Sequence, residues 1–252
     1  MSDSVRLDVH EGVARVTLNR PDNGNALDLD VAHRLLDVVQ KVAADDDARV
    51  MLLRAEGRMF CAGGDLAAMR AAPDPGAYVA ELAHAAHEAI RAIVALKKPI
   101  VAAVQGAAAG AGLSLVLLSD LVIAAERATF VTAYTAVGLT PDCGQSWLLP
   151  RAIGTGRAVD LMLNSPRLTA EKAVHLGVAT EAVVDDVLEN RAGETAARLA
   201  TGPSHAFGHA RWLIRSADAA GLDAHLDREA ETIAAMAATD DTAALIESFG
   251  AS

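Results

Sequence analysis

Cysteine is nearly absent from this sequence: Cys61 and Cys143 are the only two, in unrelated contexts. That excludes a disulfide framework and fits a reducing cytoplasm better. Positive charge is also short, with 22 Lys and Arg against 33 Asp and Glu and a net charge of −11. A general nucleic-acid or anionic-membrane surface needs a basic field that this chain lacks; an anionic ligand needs only a few cationic side chains gathered locally. Long hydrophobic runs are missing too. The longest, Ala107 to Ser119, contains two glycines and is too short to span a bilayer. Met1 to Glu11 has neither an apolar core nor a basic lead, so it does not read as a signal peptide. The expectation is a cytoplasmic protein with no membrane insertion and no nucleic-acid partner. Aromatic residues are scarce and alanine is plentiful, which predicts close-packed helices of small residues. There is no G-x-G-x-x-G after a strand, no P-loop, no H-E-x-x-H and no G-x-S-x-G. The eight histidines show no metal-ligand grouping, and His84 and His87, one helical turn apart, read as a solvated helix face.

What is present reads as strands alternating with helices. Val5, Leu7 and Val9, then Val13, Val16 and Leu18 across Glu11-Gly12, predict a β-hairpin. Arg20 to Asn25 is turn chemistry. Asp28 to Ala44 carries Val31, Leu35, Val38, Val39 and Val42 on one helical face. Val50 to Leu53, Ile100 to Val104 and Leu121 to Ala125 read as buried strands, and Tyr78 to Leu96 as a helix. Leu113 to Leu118 reads as the continuation of a helix that begins after Gly106. The alternation predicts an α/β fold with parallel pairing. Strand signals stop near Glu194, and Leu222, Leu226 and Ile233 keep helical spacing in the tail. Ala71 to Gly76 is the most linker-like stretch and would suit a mobile flap.

Two glycine-rich stretches stand out, Phe60-Cys61-Ala62-Gly63-Gly64-Asp65-Leu66 and Gln105-Gly106-Ala107-Ala108-Ala109-Gly110-Ala111-Gly112. Each follows a buried strand and leads into a helix, so each would present orphan backbone N–H groups where the helix dipole favours negative charge. Side by side, two such turns could aim two N–H groups at one oxygen and stabilise an oxyanion or enolate. The same pattern also serves as a packing device.

These stretches fall within a longer pattern. Leu18-Asn19-Arg20-Pro21 with Asn25-Ala26-Leu27, Phe60 to Leu66, Pro99 to Gly112, Ser119-Asp120 and Phe130 occur in that order. Leu148-Leu149-Pro150-Arg151, Gly154, Arg157-Ala158, Leu168 to Glu171 and Ala173 to Val178 follow. Together they resemble the crotonase (enoyl-CoA hydratase/isomerase) superfamily over nearly the whole chain. The resemblance implies a spiral of ββα units carrying a coenzyme A site over residues 1–194. It implies a helical region at 195–252 that forms trimers, often paired into hexamers. The implied substrate is an acyl-CoA thioester, with coenzyme A part of the substrate and no separate cofactor. Its carbonyl would accept from the N–H groups of Gly64 and Ala111. Asn23, Ala26, Ala62, Gly63, Asp65 and Leu66 would lie along the pantetheine and adenine ends. Asp22 departs from the pattern, since many relatives carry a lysine there.

The reaction turns on carboxylates. Where hydratases of the superfamily carry two glutamates, this chain has Ser114 and Tyr134. It offers instead Asp142, in Gly138-Leu139-Thr140-Pro141-Asp142-Cys143-Gly144, which resembles the P-D-x-G stretch of phenylacetate-pathway epoxyacyl-CoA isomerases and enoyl-CoA isomerases. Burial would raise the pKa of such a carboxylate and make it a better base. The alternative reading is that Asp142 caps the helix beginning near Gly144. Asp65 reads as an N-cap, Tyr134 as an acyl-pocket residue, and both thiols as packed groups. The leading expectation is an enoyl-CoA isomerase using Asp142. A hydratase with atypical catalytic residues and a non-catalytic acyl-CoA-binding member remain open.

Overall fold

The computed structural model describes residues 3–250. Alternation produces the hairpin: β1 (Val5–His10) and β2 (Val13–Leu18) pair antiparallel, from Val5 opposite Leu18 to His10 opposite Val13. Glu11 and Gly12 close it at φ 51° and 79°, the left-handed pair that suits the strand twist in a two-residue loop. Asp28 caps α1 (Leu29–Ala44) by accepting from the Val31 N–H at 2.9 Å, and the valine-rich face of the helix is buried. β3 (Val50–Ala55) pairs in parallel with β2 on one side and β4 (Ile100–Val104) on the other, which explains its unbroken apolar run.

Between β3 and β4 lie α2 (Leu66–Ala71) and α3 (Pro75–Ala95). The stretch expected to form a flap is a short helix–helix turn. Asp74 accepts from the Ala77 N–H at 3.0 Å and Pro75 occupies the first helical turn, so the residues that looked like a linker start α3. The next segment also departs from expectation. Residues 107–109 form a short strand, β5 (Ala107–Ala109), and α4 (Ala111–Leu118) begins only after it.

β6 (Leu121–Ala125) and β9 (Glu181–Val183) complete a six-stranded sheet in the order β1-β2-β3-β4-β6-β9. A second sheet joins β5, β7 (Thr129–Val131) and β8 (Leu168–Thr169). Isolated parallel bridges from Leu27 to Gly64 and from Cys61 to Ala108 extend this second layer into the earlier turns of the spiral. Each successive unit thus sends one segment to each sheet and then a helix, so equivalent turns stack beside one another.

The remaining helices are α5 (Gln145–Ile153), α6 (Thr155–Asn164), α7 (Ala170–Leu176), α8 (Leu188–Thr201), α9 (Ser204–Arg215), α10 (Ala219–Ala237) and α11 (Asp240–Gly250). α8 covers one face of the large sheet, burying Leu188, Ala192, Ala196 and Leu199 against Val50, Leu52 and Val101. α10 packs along α3, which also contacts α1. No helix among the described residues is long and apolar enough to cross a membrane.

One buried cation ties the tail to this core. Arg211 on α9 donates to the carbonyls of Leu96 at 2.6 Å and Ile93 at 2.9 Å, at the C-terminal end of α3, and to Asp120 Oδ2 at 2.7 Å. Asp120 Oδ2 in turn accepts from the Ile100 N–H that starts β4. Removing Arg211 leaves Asp120 with Arg215 alone, at 3.4 Å, and strips buried carbonyls of their charged donor, together at a cost of about 3–5 kcal/mol. Arg211→Met is therefore expected to lower the thermal midpoint by roughly 10 °C. An unchanged midpoint in a scanning calorimeter would contradict this account of how the tail is attached.

Candidate active site

Two glycine turns form the floor of the site. In the first, Leu27 donates to the Gly63 carbonyl at 2.7 Å and accepts from the Asp65 N–H at 2.8 Å. A parallel bridge of this kind uses the groups on either side of Gly64 and turns the N–H of Gly64 itself away from the partner. Asp65 caps α2 through Ala68 N at 3.0 Å and pairs with Arg20 Nη2 at 3.2 Å, fixing the loop from behind. In the second turn, Gly110 adopts φ 50° and ψ −123°, a conformation L side chains avoid, and hands the chain to α4. Ala111 is the first residue of that helix, and its N–H has no acceptor among the described residues.

The turns are held together tightly. Phe60 and Cys61 donate to the Ala107 carbonyl, and Ala109 donates back to Cys61 at 2.9 Å. A Cβ on Gly112 would lie 2.5 Å from the Cys61 oxygen, so only glycine permits this approach. Both turns open on one cavity of about 1210 Å³, lined by Gly63, Gly64, Gly110 and Ala111 among others. Three exposed arginines, Arg58, Arg127 and Arg167, also line it. In a chain of net charge −11 this is the local gathering of cations that an anionic ligand requires.

Asp142 and Tyr134 line the same cavity and are both buried, at 8% and 6% exposure. The Tyr134 hydroxyl donates to Asp142 Oδ1. Burial pushes the Asp142 carboxyl above its ordinary range, while the bonds from Tyr134 and Cys143 pull it back down. Burial, and then the Asp142 charge, hold the Tyr134 hydroxyl well above its usual pKa, so it stays a donor. The capping reading of Asp142 does not hold. Gly144 is the N-cap of α5 with no side-chain cap bond, and only the backbone carbonyl of Asp142 meets the helix, accepting from Gln145 N at 3.0 Å. Gln145 Nε2 in turn donates to the Gly110 carbonyl at 2.8 Å, linking the Asp142 turn to the second glycine turn.

Other expectations need correcting. His87 is not on a solvated face: it is 1% exposed, and its Nε2 accepts from the Cys143 N–H at 3.0 Å. Burial lowers its pKa to about 4, so it is neutral, with its proton on Nδ1. His84 does remain exposed. Ala62, Gly63 and Leu66 line the cavity, but Asn23, Ala26 and Asp65 do not. Asn23 and Ala26 close a turn on each other, and Ala26 gives its carbonyl to Arg20, while Asp65 is spent on its cap and ion pair. Pro21, Asp22, Gly24 and Leu27 line that side instead. Ser114 is fully buried, with an unpartnered hydroxyl. Ligand atoms of His87, Asp142 and Cys143 lie within 4.8 Å of one another. As placed, they are engaged with each other and with Tyr134, and burial keeps the Cys143 thiol protonated.

Residues 8–249 match the sequence profile of the family described as Enoyl-CoA hydratase/isomerase. The chain belongs to this family. Its relatives include the 1,2-epoxyphenylacetyl-CoA isomerase of Escherichia coli K12, 39% identical over 91% of this chain and 88% of that protein. Another is the trans-2-decenoyl-acyl-carrier-protein isomerase of Streptococcus mutans, 32% identical over 92% and 89%. A crystal structure of an enoyl-CoA hydratase from Mycobacterium avium subsp. paratuberculosis superimposes with a TM-score of 0.90 at 33% identity, covering 98% of this chain and 99% of that one. The fold is the crotonase fold, and the protein is an enzyme of that superfamily.

The Tyr134–Asp142 pair gives this crotonase a testable electrostatic signature. Tyr134→Phe removes a donor to the charged form of Asp142, so the pKa of the carboxyl should rise further. Infrared titration of the protonated-carboxyl band, with Asp142→Asn as the blank, should show a midpoint above that of the wild type. A midpoint at or below the wild-type value would contradict the assigned bond.

Proposed function

We propose that this enzyme shifts the double bond of an enoyl-CoA thioester, with Asp142 as the group that removes and returns the proton. One observation carries the reading: the carboxylates lining the cavity are Asp22 and Asp142, and only Asp142 is buried. Hydration needs one group to position and deprotonate water and another to protonate the α-carbon. Here the places expected of two glutamates hold a buried serine and a tyrosine whose hydroxyl is given to Asp142. A double-bond shift needs a single base that reaches two carbons. Asp142 takes a proton from C2 of a 3-enoyl thioester, the electron pair moves through the conjugated system onto the carbonyl oxygen, and the same carboxyl delivers a proton to C4. The N–H groups of Gly64 and Ala111 face the oxygen on which charge develops, and losing one such donor typically costs about 10²–10³ in rate. The reaction so written needs no cofactor beyond the coenzyme A carried by the substrate. Two of the three relatives named above are called isomerases, which supports the reading; the third is called an enoyl-CoA hydratase.

The same proposal covers assembly and location. Leu163, Leu213 and Ile214 are 71%, 62% and 76% exposed in the protomer, apolar surface that fits a homotrimer or a dimer of trimers. Light scattering at micromolar concentration should give three or six subunits; a monomer would overturn the assembly. Two free, buried thiols fit a reducing cytoplasm.

The chemistry is tested by comparing isomerisation of trans-3-hexenoyl-CoA with hydration of crotonyl-CoA. Isomerisation should be faster, and Asp142→Asn should reduce it by about 10²–10⁴. Binding of hexanoyl-CoA should survive, because the substitution is nearly isosteric. Brisk crotonyl-CoA hydration that persists in Asp142→Asn would overturn the assignment.

A further inference from the structure

The turn after Asp142 is unusual in where its amides go. Cys143 and Gly144 both occupy the left-handed region, at φ 55° and 75°, and Cys143 does so without being glycine. A turn of that shape needs holding from outside. Three of its donors go to side chains of distant elements. The Cys143 N–H goes to His87 on α3, while the Gly144 N–H at 2.7 Å and the Ser146 N–H at 3.1 Å go to the two carboxylate oxygens of Glu229 on α10. The Ser146 hydroxyl also donates to Glu229. Glu229 is 4% exposed and does not line the cavity, so it can act on the reaction only through the turn it holds.

We propose that Glu229 is a positioning residue, whose ionised carboxylate fixes the Asp142 turn by accepting the N–H groups of Gly144 and Ser146 and the hydroxyl of Ser146. This rests on the assignment of Asp142 as the base. The charge is required because three donors converge on two oxygens: a protonated Glu229 would turn one acceptor into a donor facing donors. Burial raises its pKa to about 7, against the pull of the Ser146 and Gly144 bonds, so the hold is lost as pH falls through about 7.

The groups facing Glu229 agree with this. Asp142 opposes its ionisation, the neighbouring Cys143 thiol is protonated, and His87, with Nε2 at 3.9 Å, is neutral. One helical turn earlier, His225 places Nε2 3.6 Å away. Arg228 donates to His225 Nδ1 at 3.1 Å, so Nε2 carries the hydrogen and donates to the Ser146 hydroxyl at 2.7 Å, which passes its own hydrogen to Glu229. Burial lowers the His225 pKa, with Arg228 and Arg151 adding to the effect. Arg91 on α3 is paired with Asp223 and Asp227 of α10 and supplies no free cation to this carboxylate.

The test is the pH dependence of kcat and KM for trans-3-hexenoyl-CoA isomerisation in the full-length protein. The wild type should lose kcat as pH falls through about 7. Glu229→Gln faces one of the N–H donors with an amide N–H at every pH. It should lower kcat by about a hundredfold, leave KM within a few-fold, and lose the inflection near 7. Ser146→Ala removes one donor from the carboxylate and should move that inflection to higher pH, a result that decides the matter even if Glu229→Gln does not fold. An unmoved inflection in Ser146→Ala, or a Glu229→Gln enzyme with wild-type kcat and profile, would overturn the proposal. Asp142→Asn run alongside separates the two claims: if it retains isomerisation, the base itself is wrong; if it is inactive while Glu229→Gln is normal, only the positioning role fails.

Discussion

The approach of residues 60–66 to residues 106–112 is the constraint on which the rest of the site depends. No side chain fits between the Cys61 carbonyl and Gly112, and Gly63 and Gly110 lie nearly in contact. Backbone bonds between Cys61 and its neighbours at 107–109 hold them there. The spiral makes this possible, because equivalent turns of successive units stack on one ladder that runs from Leu27 through Gly64 and Cys61 to β5. The consequence is chemical. Gly64 and Ala111, whose N–H groups the proposed mechanism uses, line the same cavity, and donors fixed in this way would meet developing charge without reorganisation cost.

Against this fixed floor stands Asp142, the carboxyl proposed as the acid–base group, and its environment is a balance. Burial favours the neutral acid at Asp142; Tyr134 and the Cys143 thiol favour the carboxylate. Burial is the larger effect, so the carboxyl is held above the range of an exposed aspartate, which on the proposed mechanism makes it the stronger base. The helical tail contributes directly to this balance. α10 supplies the carboxylate behind the Asp142 turn and α3 supplies His87, so core and tail complete one site.

Much of the fold was legible because periodicity and cap chemistry agreed. The hairpin, α1 with its Asp28 cap, the three buried strands and the Asp65 cap all carry strong local signals. The second sheet and the edge strand β9 of the first were not legible: β5, β7, β8 and β9 are two or three residues long, and Ala107–Ala109 looks as helical as the residues after it. The two glycine turns and Asp142 sit at readable places in a superfamily pattern, and the structure opens all three on one cavity. His87 was misread because α3 is covered on more than one side. Its position among Ala83, Ala86 and Ile90, all buried, was the available clue. Glu229 was missed although it interrupts the buried series Leu222, Leu226, Ala230 and Ile233, where a carboxylate has no reason to stand unless donors meet it.

The central claim is that one sheltered carboxyl carries the proton between two carbons. It is tested most directly by following deuterium from trans-3-hexenoyl-CoA labelled at both C2 positions, in ordinary water, at early conversion. If Asp142 removes the label and returns it before exchange with solvent, a substantial fraction of the 2-hexenoyl product will carry deuterium at C4. Product whose C4 hydrogen comes entirely from water at the earliest times would contradict the claim and require a second proton donor.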